Sequence, residues 1–69
     1  MPYQLTEATW LQRETERVRG VLLQYMQHGV EYSGAQMKDR CRRLGLDYTD
    51  AEFLQLRDAL ISEGVIEQV

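Results

Sequence analysis

Four basic side chains crowd into six residues of this chain: Lys38, Arg40, Arg42 and Arg43, interrupted by Asp39 and Cys41. Positive charge at that density can hold phosphates or acidic side chains. On a helix the four do not share one face; they surround an apolar stripe of Met37, Cys41 and Leu44. The plainer alternative is a solvated helix whose cations favour its negative end. Arg13, Arg17 and Arg19 extend the basic set upstream, with Glu14 and Glu16 offsetting them. Other chemistry is sparse. Cys41 and His28 are the only residues of their types, too few for a tetrahedral metal site. Cys41 sits on the apolar stripe and reads as a small buried hydrophobe. His28 has no nucleophile or orienting group near it in the sequence. The five glycines are scattered and form no phosphate-cradling loop. The sequence therefore predicts no catalysis, no metal and no cofactor.

Elements must hold these side chains, and the chain has room for one domain, residues 1–69. Hydrophobic residues make up 43% and charged residues 28%, the range of ordinary globular domains. A domain this small has a thin core, and a lone cysteine cannot staple it. The unpaired thiol fits a reducing compartment. Met1–Trp10 lacks the basic start and apolar run of a signal peptide. Apolar runs such as Val21–Leu23 are far too short to span a membrane. The expected address is the cytoplasm. The net charge of −3 gives no overall attraction to nucleic acid.

Three helices and a terminal strand are expected. Thr6 is a candidate N-cap with Glu7 at the positive helix end. Leu11, Val18, Leu22 and Tyr25 then recur at helical spacing, with Glu14 among the polar residues assigned to the other faces. His28-Gly29 is the expected stop. Ser33 stands three residues before Gln36, a capping box, and opens a second helix over Gly34–Leu44 that Gly45 ends. Thr49 and Glu52 repeat the box and open a third over Asp50–Glu63, with Tyr48 and Phe53 at the spacing of a hydrophobic staple and Gly64 as the stop. The expected core is Leu22, Met37, Cys41, Phe53, Leu56 and Leu60. Val65–Val69 opens with two β-branched residues and is expected to be a strand, paired with Gly29–Tyr32.

From Val21 to Val69 the pattern resembles the core of winged helix-turn-helix domains. The resemblance lies in Val21–Tyr25, in Ser33–Met37 opening the second helix, in the Leu44-Gly45-Leu46 turn and in Leu60–Ile66 closing the third. Residues 1–20 are then an extension that includes the start of the first helix. The fold class is mainly α: a three-helix helix-turn-helix core with a short terminal β-strand, winged-helix-like with the wing truncated. The fold hosts both DNA readers and protein-binding modules.

In DNA-binding relatives the third helix reads the major groove. Here that helix carries Asp50, Glu52, Asp58 and Glu63 against Arg57 alone, and only Gln55 and Arg57 suit base edges. Two functions are then near parity. One is a small regulator at DNA, or on a DNA-associated complex, using Lys38, Arg40, Arg42, Arg43, Gln55 and Arg57. The other is a protein-interaction module that keeps the fold without DNA binding. Its first positions would be the aromatic residues Tyr3, Trp10 and Tyr48. In a chain this short of core, folding back of Tyr3 and Trp10 to cap it is the favoured alternative. A homodimer through the first helix is a further expectation. A structural or inhibitory protein of a phage or mobile element is a third reading, resting on size alone.

Overall fold

A computed structural model describes all residues, 1–69. Helix α1 spans Glu7–Tyr25, α2 Gly34–Arg43 and α3 Asp50–Ser62. The local signals act as their chemistry requires. The Thr6 hydroxyl accepts from the Thr9 amide. At α2 and α3 both halves of each capping box form: Ser33 with Gln36, and Thr49 with Glu52. Each box satisfies two backbone donors that a helix start otherwise leaves to water.

The C-termini of α2 and α3 are equally regular. After α2, Leu44 caps the helix and Gly45 turns left-handed at φ +87°. The Gly45 amide donates to the Arg42 carbonyl and the Leu46 amide to that of Cys41. After α3, Gly64 takes φ +75°, its amide donates to the Ile61 carbonyl, and the Val65 amide donates to that of Leu60. Both are Schellman closures, in which the residue after the glycine folds back onto the last turn.

That closure corrects the strand expectation. Val65 is drawn back against Leu60 rather than launched into a ladder. No backbone hydrogen bond joins Val65–Val69 to Gly29–Tyr32, and neither segment is a strand. The helical core is therefore wingless. Two smaller corrections have similar local causes. Helix α1 ends at Tyr25, because Met26 already has extended backbone. Gly29 is left-handed, but inside a separate turn closed by the Val30 amide on the Gln27 carbonyl. Leu44 is 57% exposed. As the cap residue it leaves the helical stripe, and half-buried Leu46 packs in its place.

Helix α1 packs against both α2 and α3. The core consists of Val18 and Leu22 from α1, Met37 and Cys41 from α2, and Phe53, Leu56 and Leu60 from α3, with Tyr48 between the last two helices. All six core residues expected from periodicity are buried. Two additions matter more. Tyr48 belongs to the core, and Glu14, expected on a solvated face, is 5% exposed.

Candidate interaction surfaces

Helices α2 and α3 carry all six residues expected at nucleic acid. Lys38, Arg42 and Arg57 line one shallow cleft between the helices, over Phe53 and Leu54. Asp39, Asp47 and Asp50 line the same cleft. Two of these acids are engaged with the bases. Lys38 Nζ lies 2.6 Å from Asp50 Oδ1 and ties α2 to the first turn of α3. Its ammonium holds the Asp50 carboxyl below the usual carboxylate range. Asp39 takes two partners, Arg42 at 3.0 Å and Arg43 at 2.9 Å, one helical turn on. Arg57 turns to its neighbour Asp58 at 2.9 Å. Gln55 donates to Glu7 at 3.0 Å, so its amide is occupied across α1 and α3. Arg40 has no acid partner; its guanidinium lies 5.0 Å above the Tyr25 ring. The structure thus brings three of the six residues together in a cleft of mixed sign, and leaves Arg40, Arg43 and Gln55 outside it.

The three aromatic candidates have three different fates. Tyr3 is 94% exposed. Trp10 is half-buried on α1 and meets Tyr48 edge-on, with ring centroids 6.3 Å apart. Tyr48 is buried, a core residue rather than the docking residue expected. Its hydroxyl donates to Glu14 Oε1 at 2.9 Å, while Arg13 donates to the other carboxylate oxygen at 2.6 Å and Arg17 stands at 3.5 Å. Burial pushes the Glu14 carboxyl up, but hydrogen bonds from Arg13 and Tyr48 and the two guanidinium charges outweigh it, so its pKa is lowered. Burial, and then the Glu14 carboxylate itself, push the Tyr48 hydroxyl well up, which keeps it a donor. The signal for both residues was present in the sequence. Glu14 falls between Leu11 and Val18 on the apolar face of α1, and the staple pairs Tyr48 with Phe53, an inward position.

Cys41 is fully buried, and burial raises its thiol pKa, so it is packed and un-ionised at neutral pH. No group of three or more His, Cys, Asp or Glu side chains is placed to hold a metal ion. No helix is long and apolar enough to cross a membrane.

A second surface was not among those expected from the sequence. At the carboxyl end of α1 an open groove runs between the α1–α2 connection and the terminal segment. Leu23, Met26, Val30 and Tyr32 form one wall, Val65, Ile66 and Val69 the other, and Met37 lies at its base. Tyr32 is fixed there by the Tyr25 ring at 5.2 Å and by the Gln27 amide, which donates to its hydroxyl. The charged carboxylates along the groove are Glu31 and Glu67, with no Lys or Arg among its lining residues. Comparison with family models, curated proteins and solved structures returns no match for this chain.

Proposed function

We propose that this chain is a non-enzymatic protein-interaction module built on a helix-turn-helix-like three-helix core. The observation that carries the reading is the charge pairing on α2 and α3. A DNA-reading face needs cations free to replace the counterions of several phosphates. Here Lys38, Arg42, Arg43 and Arg57 are each engaged by an aspartate of α2 or α3. Exposed ion pairs are weak and could open. Opening them, however, would still leave Asp39, Asp47 and Asp50 in the cleft that the phosphates would meet. A cleft of alternating sign over Phe53 and Leu54 suits another protein better, because mixed charge selects a complementary surface and sets its orientation. The DNA reading keeps one specific support, Arg40, which has no acid partner and lies one helical turn before Arg43.

Titration of the chain with mixed-sequence duplex at low and moderate salt separates the two. The protein reading expects no binding at moderate salt. It also expects Asp39→Asn together with Asp50→Asn to create salt-dependent DNA affinity by releasing Lys38, Arg42 and Arg43. Tight binding by the unaltered chain, with a salt slope that falls by about one unit for each of Arg40→Ala, Arg42→Ala and Arg43→Ala, would establish the DNA reading instead.

A further inference from the structure

The amino-terminal arm and the groove at the far end of α1 are complementary and cannot meet within one chain. In the arm, Met1, Tyr3 and Leu5 alternate with Pro2 and Gln4, and all five residues are exposed. Alternation of this kind puts three apolar side chains on one side of an extended segment. The arm has no acidic or basic side chain before Glu7. In the groove, Gly29, Glu31, Tyr32 and Ile66–Val69 have no backbone–backbone hydrogen bonds. Backbone groups without partners beside exposed apolar side chains can receive an added extended segment. Leu23, at 62% exposure, and Val30, at 49%, are exposed apolar side chains on its wall.

Reach decides whose arm can fill the groove. From Glu7 to Leu22 the helix rises about 23 Å. Residues 1–6 span at most about 22 Å fully extended, and Tyr3 and Leu5 far less. The arm of one molecule therefore stops short of its own groove. We infer that residues 1–5 of one copy dock as an extended segment in the groove of a second copy. Two α1 helices running antiparallel place each arm at the other's groove, so the exchange is reciprocal and closes as a two-fold dimer.

Charge and area favour this occupant over the alternatives. Pairing the two terminal segments with each other would bring Glu67 against Glu67, whereas the arm carries no acidic side chain and meets no repulsion from Glu31 or Glu67. Reciprocal burial of a Met, a Tyr and a Leu with the facing walls removes on the order of 1,000 Å² from water, the lower end of specific interfaces. Pro2 has no amide hydrogen, so the arm pairs through one edge and ends the added strand there. The inference is independent of whether the α2–α3 face takes protein or DNA.

Light scattering and sedimentation of the purified chain across the micromolar-to-millimolar range test it. The unaltered chain is expected to dimerise. Deletion of residues 1–5, which leaves the Thr6 cap, and Leu23→Glu are each expected to give monomers with unchanged helical circular dichroism. Mixing these two variants is expected to restore association, because one supplies the groove and the other the arm. In a Tyr3→Cys, Val30→Cys double variant, mild oxidation is expected to link two chains, with Cys41 buried and silent. A monomer throughout the range overturns the proposal. So does a dimer that survives loss of the arm, since another occupant or another face would then hold it.

Discussion

At the amino end of α1, Trp10 meets Tyr48 edge-on and the Glu14 carboxylate receives Tyr48, Arg13 and Arg17. At the carboxyl end, roughly 15 Å further along the helix by its rise per residue, Leu23, Val30 and Val69 stand open to solvent around unpaired backbone. Both ends combine aromatic residues with a loop that returns to α1. The difference lies in the segment beyond each loop. The Leu46–Thr49 connection leads into a capped helix, so Tyr48 is held against α1 and its hydroxyl reaches the one buried acid. In the terminal segment the helix-closing turn leaves Val65 and Ile66 packed halfway against the core, with residues 67–69 exposed. One end uses its polar groups for internal structure. The other leaves its apolar and backbone groups open to a partner.

The sharpest test of the common core beneath both ends is Leu56→Ala. Leu56 is fully buried, and the cavity is expected to cost about 2–5 kcal/mol in chemical or thermal unfolding. Leu54→Ala, on the exposed side of the same helix, is expected to change stability by no more than about 0.5 kcal/mol. Equal costs would mean that α3 is packed on the other face.

The next effect contrasts two tyrosines. Tyr48→Phe removes a buried hydrogen bond to a carboxylate and is expected to cost about 1.5–3 kcal/mol, against about 0.5–1 kcal/mol for Tyr32→Phe, whose hydroxyl accepts from an exposed amide. A reversal of that order would break the contrast between the ends. The same site fixes a pH dependence. The Glu14 pKa is lowered in the fold from its ordinary value of 4.5. Its contribution is therefore complete above 4.5 and declines as the pH falls below that value through the folded-state pKa. Acid unfolding of Glu14→Gln is expected to lack that part of the slope.

Smaller still is Thr49→Ala, which removes the α3 cap and its half of the capping box, at about 1 kcal/mol by the same unfolding measurement. The smallest expected stability effect belongs to Leu23→Glu at the open end, within about 0.5 kcal/mol, although that variant is expected to abolish the proposed self-association. A large stability loss there would mean that Leu23 supports the monomer fold.

Much of the fold was legible because its signals are short-range. Capping boxes, staples and Schellman glycines act over a few residues, so Ser33, Thr49, Gly45 and Gly64 placed α2 and α3 within one residue of their observed ends. The 3.6-residue period likewise named the buried face of each helix. The strand failed on a competition between local signals: β-branched Val65 and Ile66 suit a strand, but a glycine closing a helix claims the next apolar residue first. Among the candidate cations, Arg42, Arg43 and Arg57 pair with acids within four residues of themselves, whereas the pairing of Lys38 with Asp50 was not legible because the two lie twelve positions apart.

The sequence by itself determined three capped helices, the stops of α2 and α3 and most of the core, since each rests on contacts between near neighbours in the chain. Only the tertiary structure decided that Glu14 and Tyr48, 34 residues apart, form one buried polar pair. It also decided that Lys38 pairs with Asp50 across α2 and α3, and that the Gly29–Tyr32 and Val65–Val69 segments face a common groove without pairing. Those outcomes depend on how the helices dock, and docking is fixed by the summed burial of Val18, Leu22, Leu56 and Leu60 rather than by any local pattern.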